Sequence, residues 1–289
     1  MPGSSNNSAE KHYSQHLEYP LEDHSDNASH RVKTATSDTI SPARYEKVYL
    51  SPEMPVKGDL RKTFANPTPL ALLGFLLSLS PLACDLLGWR GAGGHGIASI
   101  GVYYFMGGLL MFLGGIMEFI LGNTFSFVVF CSFGGFWFSL GATLQPSFNA
   151  YGYYSPDRNN PEAGLDDPTF LASLGFYMLF MAAMSLIYLI CALRTNVVFV
   201  LIFFGLFTTF VSLTATYWAL ADGNKAGSER IQIASGVFSL VAVLPGWYIF
   251  AAQMLEALDF PFGLPVGDLS SLIKSGSQRK QERERSHAA

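Results

Sequence analysis

From Pro69 to Met254, apolar positions run almost unbroken through six stretches: 69–88, 97–120, 124–145, 170–193, 197–220 and 231–254. Short polar or glycine-rich links separate them. None alternates with period two, so none reads as a strand of a membrane barrel. A helix rises about 1.5 Å per residue, and about 20 apolar residues cross the hydrocarbon core of a bilayer. Each stretch has that reach. Backbone groups in hydrocarbon must satisfy one another, which confines a spanning segment to the helix. The pattern therefore predicts an all-α integral membrane protein with six transmembrane helices.

Outside the stretches the chain changes character. Residues 1–62 are rich in Ser, Asn, His, Asp and Glu and show no apolar periodicity, so they are expected to form a disordered tail. The predicted organisation is this tail, a six-helix domain over 63–260 and a second tail over 261–289. Basic residues fall at Lys57, Arg61 and Lys62, at Arg194 between the fourth and fifth stretches, and at Lys274, Arg279, Lys280, Arg283 and Arg285. The positive-inside rule then places both termini in the cytoplasm, and an even number of spans agrees.

Composition adds mostly exclusions. The net charge of −4 is spread over ends and links, and no basic patch sits on a fold that could present it to nucleic acid. Cys84, Cys131 and Cys191 lie inside the stretches without CxxC spacing and read as small packing residues. There is no HExxH, P-loop or metal-ligand cluster, and the single histidine among spans and links is His95. An enzyme, a cofactor and a metal site are not expected.

Two carboxylates lie within the stretches, and the last four stretches contain no charged residue. A carboxylate inside a membrane must be protonated, paired or wet. Glu118 admits two readings. Near the end of its span it could snorkel to the interface; alternatively it lines a water-filled path and exchanges a proton. Asp85, beside Gly88 and Arg90, reads as structural. Gly101, Gly108, Gly115 and Gly122 recur every seven residues with Gly107 and Gly114 alongside, and Gly134 and Gly141 repeat the spacing. Such stripes mark close helix contacts, within one subunit or between subunits. Asn66-Pro67 and Asp167-Pro168 are helix-start signals, and the first of these helix ends is a mild anion site. Spans three and five are crowded with phenylalanine, from which a hydrophobic constriction could be built.

The segment Asn66-Pro67-Thr68-Pro69-Leu70-Ala71-Leu72-Leu73-Gly74-Phe75 resembles the NPxPLxLxGF signature of the acetate uptake transporter family, which includes the succinate–acetate permeases. The resemblance continues through Tyr104–Gly108, Gly114–Phe119, Gly122–Phe125 and Ser132–Trp137, and covers about residues 63–260. It implies a six-helix subunit, a hexamer in the plasma membrane, and passage of acetate or a similar monocarboxylate. It also implies a constriction formed by Phe75, Phe133 and Leu206, and pathway residues Asn66, Leu70 and Glu118. Phe133 stands where the family has tyrosine, Met111 where a glutamine is common, and the end of the first span reads Ser78-Leu79-Ser80-Pro81-Leu82-Ala83-Cys84-Asp85 where the family usually has a Thr-Thr pair and then an Asn. The expected function is proton-coupled transport of a short monocarboxylate. A non-transporting acetate sensor, and an exporter of ammonia or another small neutral solute, are the alternatives.

Overall fold

A computed structural model of the chain describes residues 60–269 and 283–286. The expected disordered tail falls outside these residues as far as position 59, as does most of the C-terminal tail. Among the described residues, six helices are long and apolar enough to cross a membrane. They are α1 (Thr68–Leu87), α2 (Gly96–Ile120), α3 (Thr124–Leu144), α4 (Pro168–Ala192), α5 (Val197–Ala221) and α6 (Lys225–Ala257). The chain is a multi-pass membrane protein.

The helix starts follow local chemistry. The Asp167 carboxylate accepts from the Thr169 and Phe170 amides at 2.8 and 3.1 Å, satisfying donors that the first turn of α4 leaves open. Asn196 does the same for Phe199 at 2.9 Å, and Asn224 for Gly227 at 2.9 Å. The Asn224 cap explains why α6 begins at Lys225, six residues before its apolar stretch. Glu229 and Arg230 occupy polar turns that remain helical beyond the hydrocarbon.

Packing runs in an arc: α4 on α5, α5 on α6, α6 on α1, α1 on α2 and α2 on α3. Small residues bring these backbones together. A Cβ on Gly205 of α5 would stand 2.6 Å from the Ala242 amide nitrogen of α6. A Cβ on Gly74 of α1 would stand 2.6 Å from the Met106 carbonyl oxygen of α2.

Met106 lies in a π-helical turn, Tyr103–Gly108, within α2. A π turn adds a residue and rotates everything before it. That turn divides the predicted glycine stripe. Gly108 and Gly115 face Phe138 and Cys131 of α3, and Gly114 faces Ala71 of α1. Gly101, before the turn, is exposed and faces nothing within 4 Å. Gly122 (φ 79°) makes the turn into α3. Where the glycines pack, the contacts lie within the subunit.

After α6 the chain does not leave the bundle at once. The Val197 amide donates to the Gly267 carbonyl at 2.9 Å, and the Leu269 amide to the Thr195 carbonyl at 3.0 Å. The Tyr248 hydroxyl donates to the Pro265 carbonyl at 2.7 Å. Residues 265–269 thus form a strap across the α4–α5 link.

Candidate functional site

The arc leaves α3 facing α4 and α5 across side chains rather than close backbone. Phenylalanine and tyrosine fill that space. Phe133 packs against Tyr188 of α4 and Phe210 of α5, with ring centroids 6.0 and 6.4 Å apart. Phe136, one turn on, packs against Tyr177 at 6.0 Å and Phe210 at 5.2 Å. Two cavities lie along this seam. One, of about 30 Å³, is lined by Phe75, Phe133 and Leu206 together with Met111, Ser126 and Phe203 among others. The other, of about 170 Å³, is lined by Phe136 and by Asp85, Thr216, Tyr217 and Gln232. Phe210 packs on both Phe133 and Phe136, so three rings occupy the place where one cavity gives way to the other.

The three residues that the family resemblance assigned to a constriction therefore line one small cavity. All are buried, at 3–4 % exposure, although they come from three helices distant in sequence. Phe133 brings no hydroxyl to it. Tyr188, whose ring packs on Phe133, has its hydroxyl 3.0 Å from Ser132 Oγ. Tyr188 carries no signal in the sequence that would separate it from the other aromatic residues of α4.

Glu118 is 0 % exposed. Its carboxyl accepts hydrogen bonds from the Thr68 hydroxyl and, at 2.9 Å, from Asn123 Nδ2. Asn123 Nδ2 also donates to Ser126 Oγ at 3.0 Å. The Asn66 side-chain oxygen accepts from the Thr68 amide at 3.1 Å. These bonds overturn the interfacial reading of Glu118: side chains at the starts of α1 and α3 satisfy it, and it has no need to reach the headgroups. They also correct the anion-site reading of the α1 start. The carboxyl of Glu118 already sits against Thr68, the first residue of α1, where the helix dipole favours negative charge.

The predicted pathway residues thus fall into two groups. Phe75, Phe133 and Leu206 line the small cavity. Asn66 and Glu118 belong to a buried polar cluster beside it, and Leu70 is half-buried and lines neither cavity. Ser126 joins the groups, because it accepts from Asn123 and also lines the small cavity. Thr68, Asn123 and Ser126 were not singled out as site residues from sequence. Thr68 and Asn123 lie in quoted motif segments, and the need of a buried carboxylate for donors was the signal available. Asp85, read as structural, contributes to the wall of the larger cavity. Among the described residues no cluster of His, Cys, Asp and Glu could hold a metal ion.

Comparison with known proteins bears on this arrangement. The chain is 46% identical over 235 residues to Protein alcS of Aspergillus fumigatus, covering 81% of this chain and 86% of that one. It is 31% identical over 224 residues to Acetate permease A of Emericella nidulans, covering 78% and 72%. It is also 31% identical over 210 residues to Ammonia transport outward protein 2 of Saccharomyces cerevisiae, covering 71% and 68%. The solved structure of the bacterial acetate channel SatP superposes with a TM-score of 0.51 at 27% identity, covering 71% of this chain and 99% of that one. The match to a family spans residues 50–271, which takes in all six helices, and the chain belongs to the GPR1/FUN34/yaaH family.

Proposed function

We propose that this chain is a plasma-membrane transporter of acetate or a similar short monocarboxylate, coupled to protons, with both termini in the cytoplasm. Its likeness to an acetate channel and to an acetate permease supports the substrate class. Assembly as a hexamer belongs to the same proposal and rests on the family resemblance. The observation that carries proton coupling is the continuity from Glu118 through Asn123 to Ser126 in the wall of the constriction cavity. Among the described residues no Lys or Arg lines either cavity. A carboxylate anion entering such a path finds no counter-charge, and its desolvation is costly. A proton that travels with it removes most of that cost. Glu118 is the group placed to supply or accept that proton, and the Asn123 amide, which donates to both Glu118 and Ser126, holds the carboxyl beside the cavity wall. Phe75, Phe133 and Leu206 act as the gate.

Radiolabelled acetate uptake into proteoliposomes, with protein-free vesicles subtracted, tests this. An inward proton gradient is expected to raise initial uptake several-fold. Equal uptake with and without the gradient would remove proton coupling and leave a passive channel. No uptake by folded protein would remove the monocarboxylate reading. Phe133→Ala carries a separate expectation. It empties the centre of the ring layer, so propionate and butyrate uptake should rise relative to acetate. An unchanged ratio in well-folded protein would take Phe133 out of the gate.

A second reading, export of ammonia, is favoured by one observation. Apart from Ser126, the lining of the small cavity is wholly apolar, which suits a neutral solute. Ammonium loaded into the same vesicles separates the two. Faster lumen acidification on dilution, together with absent acetate uptake, would replace the first reading with the second.

A further inference from the structure

The larger cavity holds a feature that the proton route through Glu118 does not use. Among the described residues Asp85 is the sole carboxylate in its wall, and no Lys or Arg accompanies it. Asp85 Oδ2 is buried and has no hydrogen-bond partner among the described residues. Buried polar atoms without partners are rare, and a polar atom in a cavity wall is satisfied by what enters. The other described residues of the wall carry no charge. Among the described side chains, Tyr103 of α2 and Tyr217 of α5 are titratable groups near Asp85. Gln232 from α6, Phe136 from α3 and Met178 from α4 complete it without charge. The cavity lies at the C-terminal ends of α1 and α5 and the start of α6, opposite the end from which the chain enters and leaves the bundle.

We propose that Asp85 makes this cavity a binding site for the undissociated monocarboxylic acid and closes it to the anion. The proposal rests on the monocarboxylate reading and names the species that enters. The acid O–H donates to Asp85 Oδ2. The acid carbonyl accepts from the Tyr217 hydroxyl or from the Gln232 amide, each of which lines the same space. The carboxylate anion has no donor for Oδ2 and meets it as a like charge in a low-dielectric wall. Acetate and its acid differ by one proton, so this single carboxylate sorts them by charge. The solute arrives with its proton, which the Glu118 cluster at the opposite end of α1 is placed to accept and release on the far side.

The test measures acetate uptake by the full chain in proteoliposomes at several external pH values. The pH difference across the membrane and the total acetate are held constant, and protein-free vesicles are subtracted. All proteins carry His95→Asn, so that an imidazole in the neighbouring link does not titrate over the same range. Each pH unit above a carboxylic acid's pKa lowers the undissociated fraction about tenfold. Uptake with Asp85 intact is expected to fall about tenfold per unit, following that fraction. Asp85→Asn is expected to flatten the profile to about threefold or less per unit by admitting the anion. Gln232→Lys places a cation in the same wall without touching Asp85, and should flatten it likewise. Steep, superimposable profiles for all three proteins would overturn the proposal while leaving the monocarboxylate reading intact. A flat profile with Asp85 intact would also overturn it alone. Absence of uptake with Asp85 intact, in folded protein, would overturn both.

Discussion

Glu118→Gln is expected to abolish the gradient-driven part of acetate uptake while leaving the bundle folded. The structural half of that expectation follows from the donors around the carboxyl. Glu118 accepts from the Thr68 hydroxyl and from Asn123 Nδ2. Glutamine keeps one oxygen for Asn123 and turns an amide toward Thr68, whose hydroxyl can rotate from donor to acceptor. The exchange costs about 1 kcal/mol, the net worth of one hydrogen bond, and not the larger penalty of a stranded buried group. The functional half follows from what glutamine cannot do, which is to bind and release a proton. Loss of about tenfold in gradient-driven uptake corresponds to about 1.4 kcal/mol of barrier, well within what one positioned proton-transfer group supplies. The decisive comparison is initial uptake with and without an inward gradient, in vesicles reconstituted with equal amounts of folded protein. If the variant retains the gradient stimulation of the parent, Glu118 is a structural carboxyl and the proton passes elsewhere.

The largest effect on stability is expected at Gly205. A Cβ there would lie 2.6, 2.9 and 3.0 Å from the N, Cβ and Cα atoms of Ala242. Two of these are backbone atoms of α6, so no side chain can swing aside. Gly205→Leu must push α5 from α6 along a seam that also carries the Thr209–Ser239 hydroxyl pair at 3.3 Å. Overpacking of this kind costs about 1–3 kcal/mol and more when the obstacle is backbone, and parting the helices forfeits contacts along several turns. Membrane helices are held by close packing with little hydrophobic force between them, which makes the loss harder to absorb. The expected outcome is near-complete loss of the monodisperse peak in size-exclusion chromatography. Gly135→Leu is the matched control, because a Cβ at Gly135 meets nothing within 4 Å. Equal recovery and equal melting temperature for the two variants would show that the α5–α6 approach does not limit folding.

How much of this was legible beforehand differs between fold and site. The six spans were, to within two residues for the first five, since hydrocarbon imposes length and apolarity on every spanning helix. The start of α6 was missed because Asn224 caps a polar extension that hydropathy does not register. The glycine stripe was half right: a period of seven assumes an uninterrupted α-helix, and the π turn at Tyr103–Gly108 breaks the phase. At the site, Phe75, Phe133 and Leu206 were grouped through resemblance alone, and the fold brings them to one cavity. Glu118 was visible as an anomaly, but its distance from a helix end suggested an interface that the bundle itself fills. The partners Thr68 and Asn123 lie 50 positions before it and five after it, and only the fold selects them. Asp85 looked structural because a sequence shows neighbours along the chain and not the empty volume that a side chain borders.

The π turn in α2 has an evolutionary reading. A six-helix bundle with glycines at its seams tolerates few substitutions there, since most added side chains collide with a neighbouring helix. A single inserted codon acts differently. It turns the first part of α2 by about a quarter revolution relative to the rest, because a helix advances about 100° per residue. In one event Tyr103 and Gly107 face inward and Gly101 faces outward, with the downstream glycine contacts left in register. Lineages with and without that codon would present different residues to the larger cavity from nearly the same sequence. Solute preference within such a family can therefore diverge by indel, at a step size that percentage identity scarcely records.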